Sequence, residues 1–130
     1  MKNPFIYLFA MLMSVVSLTS CSSDDDNGSV SQSREIKYEL TGTTTATDLS
    51  ATYTTNGGGT SVDITSLPWT YTYTADADTY AGGFSVSAST ATPGDKVTLN
   101  VYQGTNKLKS LEATANSDGI IVATISASFN

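Results

Sequence analysis

From residue 34 onward the chain alternates. In Trp69-Thr70-Tyr71-Thr72-Tyr73-Thr74 every second residue is aromatic and every other one is threonine. A strand turns successive side chains to opposite faces, so this spacing predicts one apolar and one polar face. Ile36-Lys37-Tyr38-Glu39-Leu40, Leu49-Ser50-Ala51-Thr52-Tyr53, Phe84-Ser85-Val86-Ser87-Ala88 and Val97-Thr98-Leu99-Asn100-Val101 repeat the rule. On that face rule Trp69, Tyr71 and Tyr73 belong to the core. The stretch from Ile120 to Phe129 differs, because Ile120, Ile121, Val122 and Ile125 make its start apolar on both faces. That predicts a central or covered strand, since an open edge of such composition invites aggregation.

Turn residues separate the runs. Asn56-Gly57-Gly58-Gly59 supplies the positive φ of a hairpin. Pro93-Gly94-Asp95 and Asn116-Ser117-Asp118-Gly119 have turn composition, and Gly104-Thr105-Asn106 closes a hairpin between Val97–Gln103 and Lys107–Ala115. The count is seven or eight strands, and no stretch carries a helical period. A sheet with one apolar face must be covered, and with no amphipathic helix the cover is a second sheet. The expected fold is an all-β, immunoglobulin-like two-sheet antiparallel sandwich over residues 34–130, without an inter-sheet disulfide.

The first thirty-odd residues follow other rules. Lys2 precedes a mostly apolar segment from Phe5 to Leu18. As a helix that segment reaches only ~21 Å at ~1.5 Å per residue, short of a hydrocarbon core about 30 Å thick. It ends at Leu18-Thr19-Ser20-Cys21, which resembles a bacterial lipobox, where signal peptidase II cuts before a cysteine that is then lipidated. Residues 1–20 read as the signal peptide, with Leu18, Thr19 and Ser20 as the recognition residues and Cys21 as the lipidated position. This also explains why an exported chain holds a single cysteine. One acyl chain binds a membrane only reversibly, so stable attachment needs two or more.

Residues 21–33 read as a lipidated cysteine followed by a disordered acidic tether. Between Ser22 and Gln32 Val30 is the only bulky apolar residue, too little to offset the entropy of ordering. Ser22-Ser23-Asp24-Asp25-Asp26 has two readings that both stand. One is a solubilising run that holds the domain off an anionic surface. The other is a surface-export signal of the kind found in Bacteroidota-type lipoproteins, which it resembles. Ser22 is also unlike the aspartate associated with inner-membrane retention, which favours the outer membrane, on either its surface or its periplasmic face.

Composition narrows the chemistry. The chain has no histidine, which removes histidine-based triads and the commonest metal ligand. A lipidated Cys21 leaves no thiol for catalysis or zinc. Neither a catalytic residue nor a cofactor is expected. Asp76 and Asp78 share a loop and offer oxygens to calcium, although turn aspartates in solvent have the same spacing. After Cys21 five basic residues face twelve acidic ones, the wrong balance for nucleic acid. Lys107 and Lys109 share a strand face on the period-two rule, far from Lys96. Tyr80 and Tyr102 are the candidates for stacking a sugar.

Tyr38-Glu39-Leu40-Thr41-Gly42, then Tyr53-Thr54-Thr55-Asn56-Gly57-Gly58, then Leu67-Pro68-Trp69 resemble, in that order, the MmpS family of small membrane-anchored proteins with a β-sandwich domain on the outer side. The similarity extends through Val86-Ser87-Ala88, the Val97–Leu111 hairpin and the Ala123–Phe129 strand. It departs at the N-terminus, where founding members carry a transmembrane helix, and at Gln103-Gly104-Thr105-Asn106, where an Asp-Gly turn is usual. The resemblance implies an accessory subunit of an RND-type exporter. The resulting expectation is a non-enzymatic lipoprotein that contacts another envelope protein. The alternative is a surface module that binds carbohydrate or another polymer.

Overall fold

A computed structural model describes residues 31–130, and the compact unit runs from Gln32 to Asn130. The anchor residues Leu18, Thr19, Ser20 and Cys21 and the acidic run Ser22–Asp26 lie outside the described residues.

Eight strands form: β1 (Glu35–Thr43), β2 (Ser50–Thr55), β3 (Gly58–Asp63), β4 (Trp69–Thr74), β5 (Ala81–Ala88), β6 (Lys96–Gln103), β7 (Asn106–Thr114) and β8 (Ile121–Ser128). They build two four-stranded antiparallel sheets, β4-β1-β6-β7 and β3-β2-β5-β8, which makes the domain a β-sandwich. The core lies where alternating positions of the two sheets meet. Ile36, Tyr38, Leu40, Val97, Leu99 and Val101 come from the first sheet, and Ala51, Phe84, Val86, Ile121 and Ile125 from the second. All but Ile121, whose exposed neighbours are Ile120 and Val122, sit one residue from a polar, outward-facing neighbour, as the period-two pattern requires.

Register places Tyr38 opposite both Tyr71 and Val101. Its fully buried ring lies 5.3 Å from Phe84 and 5.8 Å from Tyr53, so aromatic packing bridges the sheets here. The Tyr38 hydroxyl donates to the Thr54 carbonyl at 2.8 Å, which satisfies its one polar atom. Gly82 makes that arrangement fit, because a Cβ there would collide with the Tyr38 hydroxyl and come within 2.8 Å of the Phe129 ring.

Three expectations change. β8 is not central: it pairs only with β5 and forms the edge of the second sheet. Ile121, Ala123 and Ile125 point inward, while Val122 is 72% exposed and Ile120 41%. What screens this edge is β7, which lies alongside β8 across one flank of the sandwich. Lys107 and Lys109 do not share a face by register. The pairing shifts between Val101 and Tyr102, so Lys107 sits opposite outward-facing Tyr102 and Lys109 opposite buried Val101. Leu108 is the extra residue of a bulge, and it packs against the core. Trp69, Tyr71 and Tyr73 do face inward, but all three remain half-buried because their strand is an edge.

Candidate functional site

The two ends of the sandwich differ. At one, the entry end, the chain enters at Ser33 and leaves at Asn130. The buried Gln103 amide donates to both of their carbonyls at 2.9 Å. Arg34 adds a fork to main-chain oxygens: it donates to Asp76, to Thr79 at 2.7 Å and to Asn130 at 3.2 Å. Guanidinium geometry suits such divergent acceptors. The connection holding Asp76, Asp78 and Tyr80 is thereby fixed by its backbone, with the Asp76 N–H also donating to Asn56 at 2.9 Å. The Arg34 charge occupies main-chain oxygens that a calcium ion in this loop would want. Among the described residues no three His, Cys, Asp or Glu side chains come together as a metal-ligand group.

The two candidate sugar-stacking tyrosines are not brought into one platform. Tyr80 lies on the connection before β5 and is 65% exposed. Tyr102 lies on the outer face of the other sheet, half-buried in a polar network. Its hydroxyl donates to Glu39 at 3.0 Å, and Asn100 donates to the same carboxylate oxygen at 3.1 Å. The Lys37 ammonium is 4.2 Å from the Tyr102 ring centroid and that of Lys107 is 5.4 Å. Cations on the ring occupy the π surface that a sugar would use.

The other end, opposite the entry, gathers four connections: residues 44–49, 64–68, 89–95 and 115–120. Two carboxylates tie the first of these, residues 44–49, to the third, residues 89–95. Asp48 accepts from the Ser89 hydroxyl, from the Ser89 N–H at 2.9 Å and from the Thr90 hydroxyl at 2.6 Å. Those two hydroxyls, reinforced by the backbone N–H groups, pull the Asp48 carboxyl from 3.8 down to about 2. Asp95 accepts from the Thr45 N–H at 2.7 Å, the Thr44 hydroxyl at 3.1 Å and the Thr92 N–H at 3.1 Å. The Thr45 N–H leads in lowering its ionisation too. Main-chain bonds complete the weave, from Ile64 to Leu49 at 2.8 Å and from Ala91 to Gly119 at 3.0 Å.

Between the first two of these connections lies a groove of about 290 Å3. Leu49, Ile64 and Leu67 contribute its apolar surface, and Thr43, Thr44, Thr65 and Ser66 its hydroxyls. No ionisable side chain lines it. The Leu67–Pro68 bond at its margin is cis. The arrangement can offer shape, apolar contact and neutral hydrogen bonds on a rigid frame, which is the chemistry of recognition.

Sequence reasoning passed over this groove. In the sequence Asp48 reads as a loop aspartate and Asp95 as a turn residue, because apart from Thr92 their hydrogen-bond partners lie 41 to 51 residues away in the chain. The available signal was compositional: threonine crowds both Thr43–Thr47 and Ser89–Thr92. Comparison with known proteins returns no match: no family model, no curated protein and no solved structure matches this chain.

Proposed function

We propose that this protein is a non-enzymatic lipoprotein, anchored in the outer membrane, whose β-sandwich mediates contact with another protein of the cell envelope. The observation that carries the contact is the far-end groove, where Leu49, Ile64 and Leu67 sit beside neutral hydroxyls and one of the two bordering connections, residues 44–49, is braced by Asp48 and Asp95. Such bracing lowers the entropy lost when a partner binds. The anchor rests on Leu18-Thr19-Ser20-Cys21 and the acidic tether behind it. The role of transport accessory subunit rests on the resemblance to the MmpS family.

The test is photo-cross-linking in native membranes from a reactive group at Ser66, beside the groove, and from one at Ser126, on the outer face of the second sheet. A discrete protein adduct from Ser66 and none from Ser126 is expected. Equal adducts from both, or none from either, contradict the reading. A second reading, a surface carbohydrate- or polymer-binding module, is favoured by the exposure of Tyr80. Titration against host and microbial glycans tests it: binding that Tyr80→Ala abolishes supports it, and flat titrations of both forms remove it.

A further inference from the structure

The outer face of the first sheet is organised in rungs. β1, β6 and β7 place Lys37, Tyr102 and Lys107 side by side, and the next rung on that face holds Glu39, Asn100 and Ser110. An outward-facing rung is ordinarily wet, yet Asn100 is only 3% exposed. Gln103, likewise buried, spends its amide on tying the entry end together. Asn100 ties no chain ends. Both halves of its amide go to the side chains on either side of it in the rung.

Glu39 stands between an amine and that amide. Its Oε1 accepts from Asn100 Nδ2 at 3.1 Å and from the Tyr102 hydroxyl at 3.0 Å. Its Oε2 faces Lys37, whose Nζ lies 3.8 Å away. On the other side the Ser110 hydroxyl donates to Asn100 Oδ1 at 2.7 Å. The carbonyl is thereby polarised where charge would develop on attack, and one carboxylate serves both the amine and the amide nitrogen. Lys37 and Asn100 are diagonal neighbours on one sheet face, a separation of ~7–8 Å that long side chains bridge. Lys107 lies one rung from Asn100 as well. The ion pairs among the described residues are Lys37–Glu39 and Lys96–Glu112, so Lys107 has no carboxylate to take its proton.

We propose that Lys37 and Asn100 join in an isopeptide bond, formed once by the folded chain itself, with Glu39 carrying protons between them. Glu39 takes a proton from the Lys37 ammonium, and the freed Nζ attacks Asn100 Cγ. The tetrahedral carbon holds its negative charge on Oδ1, under the Ser110 hydroxyl. The bond from Cγ to Nδ2 then breaks. Two protons from Nζ reach the departing nitrogen through Glu39, so it leaves as ammonium, the carboxylate is restored and nothing is oxidised. A carboxylate is a weaker base than an amine, so the first transfer is uphill. A reaction that runs once per chain tolerates the slow rate. The product fastens β1 to β6 and closes residues 37–100 into a loop, restricting the unfolded chain as a disulfide does. It depends on neither the far-end groove nor the anchor.

Tryptic mapping of the denatured full chain tests this, because trypsin cuts after a free lysine and not after one in amide linkage. The wild type is expected to stay uncut after Lys37. It should yield Glu35–Lys96 joined to Val97–Lys107, lighter than the two peptides together by one ammonia. Lys37→Arg keeps a cation over Tyr102, and Glu39→Gln keeps a hydrogen-bonding side chain. Each is expected to fold and to release Val97–Lys107 at its sequence mass, while Lys107→Arg retains the link. Cleavage after Lys37 in the wild type, with Val97–Lys107 free, overturns the inference. A link that runs through Lys107, or one that persists in Glu39→Gln, overturns it equally.

Discussion

Gly42 stands in β1 opposite Val97, with φ at +118°, and a Cβ there would run into the Lys96 carbonyl and come within 2.8 Å of the Val97 Cα. Both obstacles are backbone and cannot swing aside. Gly42→Ala is therefore expected to cost roughly 1–3 kcal/mol for the conformation alone, with the collision added. Chemical denaturation checks it, and a neutral result contradicts the geometry. Phe84 and Trp69 provide a graded comparison. Phe84 is fully buried, and Phe84→Ala should cost roughly 3–5 kcal/mol. Trp69→Ala should cost less, because its ring is only half-buried on an edge strand. Equal losses would place Trp69 in the closed core.

Asp48 makes a prediction about acid. Its carboxyl titrates at about 2 when folded, against 3.8 ordinarily. A group lowered in this way stabilises the fold fully above the ordinary value and loses that contribution as pH falls towards the folded one. The melting temperature should therefore drop between pH about 4 and about 2, and Asp48→Asn should flatten that part of the curve. Parallel curves for the two proteins would show that Asp48 does not brace the far end. Nothing in the local sequence announces this role, since Ser89 and Thr90 reach Asp48 only once β2 and β5 are paired.

At the scale of elements, legibility follows contrast. β4 was readable to the residue because aromatic and threonine alternate without a break. β3 has no such contrast, and the Gly-rich hairpin in front of it is the only local cue. The apolar start of β8 reads as central or covered, and the strand is an edge of its sheet with β7 against it, because edge or centre depends on which strands fold beside it. The bulge at Leu108 escaped for a similar reason, as a period-two pattern cannot register an inserted residue. The exposed Val122 allows a check on the corrected β8. Val122→Lys should leave stability within about 0.5 kcal/mol, as for an ordinary surface change. A loss of several times that would show the Val122 face to be covered.

Across the whole unit from Gln32 to Asn130 two four-stranded sheets close over one core. Among the described residues the core comes from the interval Ile36 to Phe129, and Arg34 and Gln103 tie the entry end together. A domain of this kind can hang from a tether without depending on it. The fold could be read from strand patterning, whereas the groove could not, because it lies between two connections, residues 44–49 and 64–68, that meet only in the folded domain. We propose that this β-sandwich is held to a membrane through one modified cysteine, Cys21. Fractionation of cells expressing the wild type and Cys21→Ala, with limited proteolysis of each fraction, tests it most directly. The wild type should sediment with membranes and the variant should not, while both yield the same protease-resistant fragment beginning near Gln32. A Cys21→Ala protein that stays with the membranes, or that loses the resistant fragment, would contradict the account.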